Sequence, residues 1–202
     1  MRNYIAEVLG TFAIVFCGTG AIIIDQQTGG VITHVGVAIT FGLIVMSMIF
    51  ALGNISGAHF NPAVTVGFYF SGRFPAREIT PYIIAQLFGA FGASGLLRLI
   101  FPDNASLGAT IPAGAYMQSF VLELVLTFFL MLVIIHVAHG SKEQGMFAGP
   151  VCGASMNPAR SLAPGVVSGQ LGALWIYVTA PVAGAIGAVY VWKYLHPAAV
   201  SA

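Results

Sequence analysis

The stretch Gly57-Ala58-His59-Phe60-Asn61-Pro62-Ala63 returns in altered form as Gly153-Ala154-Ser155-Met156-Asn157-Pro158-Ala159. Both copies interrupt apolar sequence, and both place Asn directly ahead of Pro. Asn is a strong helix N-cap, and Pro suits the first helical position because its missing N–H would have no partner there. Each cassette therefore reads as extended backbone ending in the start of a short helix, at Pro62-Ala63 and at Pro158-Ala159. Two such starts in a membrane predict two half-helices whose positive ends point at a common site.

Composition puts the chain in a bilayer. Only 6% of its 202 residues are charged, against about 25% in a soluble domain, while 58% are hydrophobic and mean hydropathy is +0.92. The net charge of +1, with no basic cluster, gives no footing for a nucleic-acid partner. Cys17 and Cys152 form no disulfide framework, and His34, His136 and His139 are too scattered for a metal site. No nucleotide-binding loop, nucleophile elbow or paired-carboxylate arrangement is present. The expectation is a protein with no catalytic residue, no metal and no cofactor, hence not an enzyme. Asn104-Ala105-Ser106 fits a glycosylation sequon in a polar loop.

Five stretches reach the ~20 residues that a span requires: residues 4–24, 31–52, 79–101, 116–138 and 171–194. The first, with Glu7 inside it, is too long for a signal peptide and reads as a retained span. All five are rich in small residues, as in Gly89-Ala90-Phe91-Gly92-Ala93 and Gly184-Ala185-Ile186-Gly187-Ala188. Gly and Ala allow close backbone approach between helices in lipid, so a tightly packed all-α bundle is expected.

The halves of the chain repeat, over about 1–102 and 115–202, within a single membrane domain spanning 1–202. Glu7 and Thr11-Phe12 match Glu123 and Thr127-Phe128 at an offset of 116; Asn61 matches Asn157 at 96; Ala85 and Gly89-Ala90 match Ala180 and Gly184-Ala185 at 95. The offset shortens by 20 residues between the first and second matches. The first half fits a whole span, 31–52, ahead of its cassette. The second half has only residues 139–152, HGSKEQGMFAGPVC, which are too few and too polar for a helix across the bilayer.

Non-helical backbone at membrane depth survives only where protein buries it or a wet cavity satisfies it. The segments around Gly57, Ala58 and Gly153 can therefore offer carbonyls to a file of polar solutes, while Asn61 and Asn157 offer amide donors. With two positive helix ends converging, this set favours a neutral hydrogen-bonding molecule and repels cations, protons included. Arg160, a charge beside the second cassette, reads as a constriction residue. Glu7 and Glu123 occupy matching places and are expected to accept backbone N–H groups from the broken segments. His59 either lines the mouth of the pore or packs as a hydrogen-bonded histidine.

On these two cassettes the chain resembles the aquaporins, the major intrinsic protein family, along almost its whole length. The resemblance implies a bundle with an inverted repeat and two re-entrant half-helices, assembled as a homotetramer with one pore per subunit. It also implies a filter in which Phe41 supplies the aromatic, Arg160 the cation and Ala154 the small residue. The fourth filter position belongs to a fifth helix that this chain lacks, leaving five full spans instead of six. Ser161, where glycerol-conducting members usually carry Asp, leans toward water.

The missing span poses a topological problem. Counted along the chain, five spans would bring both cassettes in from one face, and their dipoles would no longer oppose. Residues 141–156 are long enough to cross a bilayer if extended at ~3.3 Å each. Lys193 joins the other cytoplasmic cations, Arg2, Arg73, Arg77 and Lys142, only if the last span keeps the six-span orientation. Three outcomes stay open: a passive water channel, a facilitator of glycerol or other small neutral solutes, and a non-conducting variant. The short termini suggest a multi-pass protein of a plasma (cytoplasmic) membrane.

Overall fold

A computed structural model describes residues 1–137 and 152–197. Five long helices are present among them: α1 (Arg2–Gln27), α2 (Thr33–Ser56), α4 (Ala76–Ile100), α5 (Tyr116–Val137) and α7 (Leu174–Leu195). Two short ones, α3 (Pro62–Phe70) and α6 (Pro158–Ser168), follow the cassettes. The described residues contain no strand. At 1.5 Å per residue, 22 to 26 residues give about 33–39 Å, enough for a hydrocarbon core of ~30 Å. Large apolar side chains such as Leu43, Phe50, Phe88 and Tyr190 lie exposed on the outer faces, where lipid replaces water. The protein is a multi-pass integral membrane protein.

Pairs of helices pack as the repeat demands. α1 lies along α4, and α5 along α7. At each crossing a glycine sits against the partner's backbone: a Cβ at Gly89 would strike the Val8 carbonyl, and one at Gly184 the Leu124 carbonyl. One turn along, Gly92 faces Phe12 and Gly187 faces Phe128. The matches at offsets of 116 and 95 are thus two copies of one helix crossing.

Side-chain contacts orient the helices. Tyr4 donates to Glu78 at 2.7 Å, so α1 and α4 start at the same end. Arg73 reaches the Ile135 carbonyl at 3.0 Å and lies 4.6 Å from the Trp192 ring, which brings the ends of α3, α5 and α7 to that end too. At the opposite end Phe120 stacks on Trp175, and Val167 of α6 packs near Ile23, Leu97 and Leu107. The α1–α4 pair therefore runs one way and the α5–α7 pair the other, as an inverted repeat requires. Arg2, Arg73, Arg77 and Lys193 gather at the first end and Arg98 at the second, which marks the first as cytoplasmic.

This corrects one expectation from the span count. The cassettes do not come in from one face, because α3 runs from mid-bilayer to the cytoplasmic end and α6 to the outer end. Since α5 and α7 are parallel, the chain crosses the bilayer once between them, the outer half of the way as α6. Most of the crossing proposed for residues 141–156 lies outside the described residues, as do Lys142 and His139. Where α1 carries α2, the matching flank of α5 carries no described helix. Among the described helices, α2 has its long packing seam with α1, and reaches α6 through Phe41 and α4 through Ser56.

Candidate functional site

Each half-helix begins as its sequence requires. Asn61 has extended backbone, and its side-chain oxygen accepts from the Ala63 N–H at 2.9 Å, with Pro62 next in line. Asn157 does the same for Ala159 at 3.0 Å and Arg160 at 3.3 Å, beside Pro158. Each amide then reaches across. Asn61 Nδ2 donates to the Met156 carbonyl at 2.7 Å, and Asn157 Nδ2 to the Phe60 carbonyl at 2.9 Å. The two helix N-termini, each equivalent to about half a positive charge, thus meet head to head.

The backbone ahead of each start is held in a rarely used conformation. Gly57, Ala58 and Phe60 have φ of 82°, 52° and 49°; Gly153, Ala154 and Met156 have 82°, 40° and 50°. Left-handed backbone costs an L-residue roughly 1–2 kcal/mol, so something must hold it. Glu7 accepts from the His59 N–H at 3.0 Å, the Phe60 N–H at 2.7 Å and the Ser56 hydroxyl at 2.7 Å. Glu123 accepts from the Ser155 and Met156 N–H groups, both at 2.7 Å. Cys152 stands where Ser56 does in the first half, and its sulfur accepts from the Ala154 N–H at 3.4 Å as the Ser56 hydroxyl accepts from Ala58 at 3.1 Å. Both carboxylates are fully buried.

In a trans peptide, the carbonyl points opposite to the N–H of the next residue. With the N–H groups of 59, 60, 155 and 156 turned to the carboxylates, the carbonyls of Ala58, His59, Ala154 and Ser155 face away from them. The result is two short files of acceptors flanking the paired asparagines.

On the outer side, the guanidinium carbon of Arg160 lies 4.9 Å from the centre of the Phe41 ring. Phe41 itself is seated on Gly18, where a Cβ would strike the ring. Arg160 is 3% exposed, and its Nη1 has no hydrogen-bond partner among the described residues. A buried guanidinium N–H without a protein acceptor is available to a solute. On the cytoplasmic side, His59 is a packed histidine. Its Nδ1 pairs with the Thr65 hydroxyl at 3.1 Å, and its ring lies 4.7 Å from Phe68, 4.7 Å from Phe74 and 5.1 Å from Tyr82.

Several supports were not read from the sequence. Tyr82 donates to the Ser56 carbonyl at 2.9 Å and Tyr177 to the Cys152 carbonyl at 2.8 Å. The two tyrosines share the offset of 95 already seen at Ala85 and Ala180, and that match was the available signal. Gln86 donates to Glu7 at 2.8 Å and to Thr65 at 2.9 Å. Its signal was a buried amide in the middle of a span.

The sequence profile of the family described as "Major intrinsic protein" matches residues 1–192. "Aquaporin NIP1-1" of Zea mays is 44% identical over 212 residues, covering 97% of this chain and 75% of that protein. "Nodulin-26" of Glycine max is 41% identical over 212 residues, with 97% and 78% covered. The matched stretch is longer than the 202 residues of this chain, so these relatives carry residues with no counterpart here. Among solved structures, the aquaglyceroporin from Plasmodium falciparum superposes with a TM-score of 0.85 at 27% identity, covering 100% of this chain and 99% of that one. Paired half-helices and a match along nearly the whole length agree: the chain belongs to the major intrinsic protein family, the family of the aquaporin channels, which are not enzymes.

Proposed function

We propose that the chain, acting over 1–202 as one unit, is a passive channel for water. The observation that carries this reading is the reciprocal bonding of Asn61 and Asn157, which brings two positive helix ends together between two files of carbonyls. Water can donate to the carbonyls and accept from the second N–H of each asparagine. A cation or a hopping proton meets the converging positive ends there and Arg160 further out. Phe41, Ala154 and Arg160 form the constriction in this reading, and Glu7 and Glu123 hold the carbonyl files.

A second reading, conduction of glycerol or another small neutral solute, is favoured by one observation. By sequence, residues 139–152 are too few and too polar for the helix that would carry the fourth filter position, which in this reading leaves a wider constriction. The kinship to an aquaglyceroporin points the same way.

Liposomes containing the protein should shrink in a sucrose gradient at least ~10-fold faster than empty ones. Ala154→Leu, which places bulk at the narrowest point, should remove most of that gain, and Arg160→Val should add a proton leak while keeping water flow. Re-swelling in a glycerol gradient selects the second reading. Permeability equal to that of empty liposomes, with the protein correctly inserted, overturns both and leaves the non-conducting variant. Kinship also suggests a homotetramer in the plasma membrane, which cross-linking in native membranes would test.

A further inference from the structure

The two cassettes are not braced alike. The first is held by a side chain on a spanning helix: Gln86 of α4 joins Glu7 to Thr65, and Thr65 in turn holds His59. In the repeat, the place of Gln86 is taken by Pro181, which has no side-chain donor. The second cassette therefore needs a brace from elsewhere.

That brace comes from the α4–α5 loop. Thr110 donates its hydroxyl to Ser161 at 2.6 Å. Ser161 stands where Thr65 stands in the first half and pairs with the hydroxyl of Ser155. Ser155 donates a hydrogen bond to the Asn157 carbonyl at 3.0 Å. All three hydroxyls are buried. The direction is self-consistent, because each hydroxyl donates once, toward the cassette. The Thr110 methyl also lies against Gly153, where a Cβ would meet it at 2.7 Å.

The loop is itself anchored. Arg98 holds the carbonyls of Pro102 at 3.0 Å and Asn104 at 2.8 Å. Asn104 Oδ1 accepts from the N–H groups of Ser106 at 3.1 Å and Leu107 at 2.7 Å. Leu107 is fully buried, and Gly108, at φ 67°, lies where a Cβ would meet Thr19 at 2.8 Å. Thr110 is therefore delivered to Ser161 by a fixed arm.

We infer that Thr110 is a positioning residue for the constriction: through Ser161 it holds Arg160 and the second cassette in register with Phe41. This rests on the reading of Arg160 as a filter residue. A loop hydroxyl supplies on this side what a helix amide supplies on the other.

The test uses the full chain in liposomes with Thr110→Val, which keeps the shape and removes the hydroxyl, and Thr110→Ser, which restores the hydroxyl. Thr110→Val should change the ratio of glycerol to water permeability about tenfold, the scale of one buried hydrogen bond, and Thr110→Ser should return it. Labelling by N-ethylmaleimide in a Cys17→Ser background reads the cassette directly. Cys152, fully buried at its start, should react about tenfold faster in Thr110→Val and at the original rate in Thr110→Ser. Ser161→Ala cuts the same bond from the other side and should reproduce both effects, and the double variant should add little to either single one. Unchanged ratio and unchanged labelling in Thr110→Val and Ser161→Ala overturn the proposal. If the unaltered protein passes neither water nor glycerol, the channel reading fails, while the labelling still decides the role of Thr110.

Discussion

Glu7→Leu should abolish folded protein, and Glu123→Leu should do so less completely. The Glu7 carboxylate takes four donors: the hydroxyl of Ser56, the N–H groups of His59 and Phe60, and the amide of Gln86. Leucine offers none of them an acceptor, and water has little access to a fully buried site. At about 1–3 kcal/mol for each buried donor left unpaired, the loss is at least ~4 kcal/mol, a large share of a typical stability of 5–15 kcal/mol. The left-handed backbone at Ala58 and Phe60 would relax, and the carbonyl file with it. Glu123 takes the two N–H groups of Ser155 and Met156, but no helix amide. Monodisperse protein recovered in detergent, with its melting temperature, reads the order. Equal recovery of both variants would show that the count of donors does not govern stability here.

Gly89→Ala and Gly184→Ala should each cost about 2–4 kcal/mol, although each adds a single methyl. At both sites the new Cβ falls on a backbone carbonyl, of Val8 or of Leu124, and comes within 3.0 or 2.9 Å of the next turn's N–H. Backbone cannot swing aside as a side chain can, so the helices must part along their length. Overpacking by a methylene ordinarily costs 1–3 kcal/mol, and these sites belong at or beyond the upper end. Gly95→Ala on the same α4 helix meets nothing within 4 Å and should be neutral or gain up to ~1 kcal/mol of helix propensity. Thermal unfolding of the three variants in one detergent makes the comparison. If Gly95→Ala melts as low as the other two, close helix approach is not the reason for these glycines.

Much of this was legible in one dimension. The five long helices overlie the five apolar stretches. α1 passes both ends of its stretch, α2 starts two residues late and ends four later, and α4 starts three residues early and ends one short. α5 follows its stretch from Tyr116 through Val137, and α7 begins at Leu174 after a turn at 172–173. Asn-Pro-Ala is a local instruction, because cap and first turn are made by residues two or three positions apart. The matches at offsets of 116 and 95 marked a repeat, and its small residues predicted close packing, but which helices cross at Gly89 and Gly184 came from the coordinates.

Other features were legible only as types. For Glu7 and Glu123 the sequence pointed to backbone N–H groups of the broken segments without saying which ones. Glu7 finds its donors 49 to 79 residues away and Glu123 finds His59's counterpart, Ser155, 32 residues on. The same holds for Thr110, an unremarked loop threonine whose partner is 51 residues distant. His59 carried two readings, and three aromatic rings from α3, α4 and the loop between them decided for the packed one.

The sequence by itself determined that this is a membrane protein, that it is built twice over, and that each half carries a helix starting within the bilayer. Those properties follow from hydropathy, periodic small residues and capping, all set by near neighbours. Whether the two starts face each other was decided only in three dimensions. Counting spans put both on one side, because a count assumes that every crossing is a full helix. The parallel course of α5 and α7 shows a crossing completed by a half-helix, and the bonds from Asn61 to Met156 and from Asn157 to Phe60 close the pair. Opposed dipoles depend on which end of the bundle each half-helix runs toward, and that is a property of packing between distant segments.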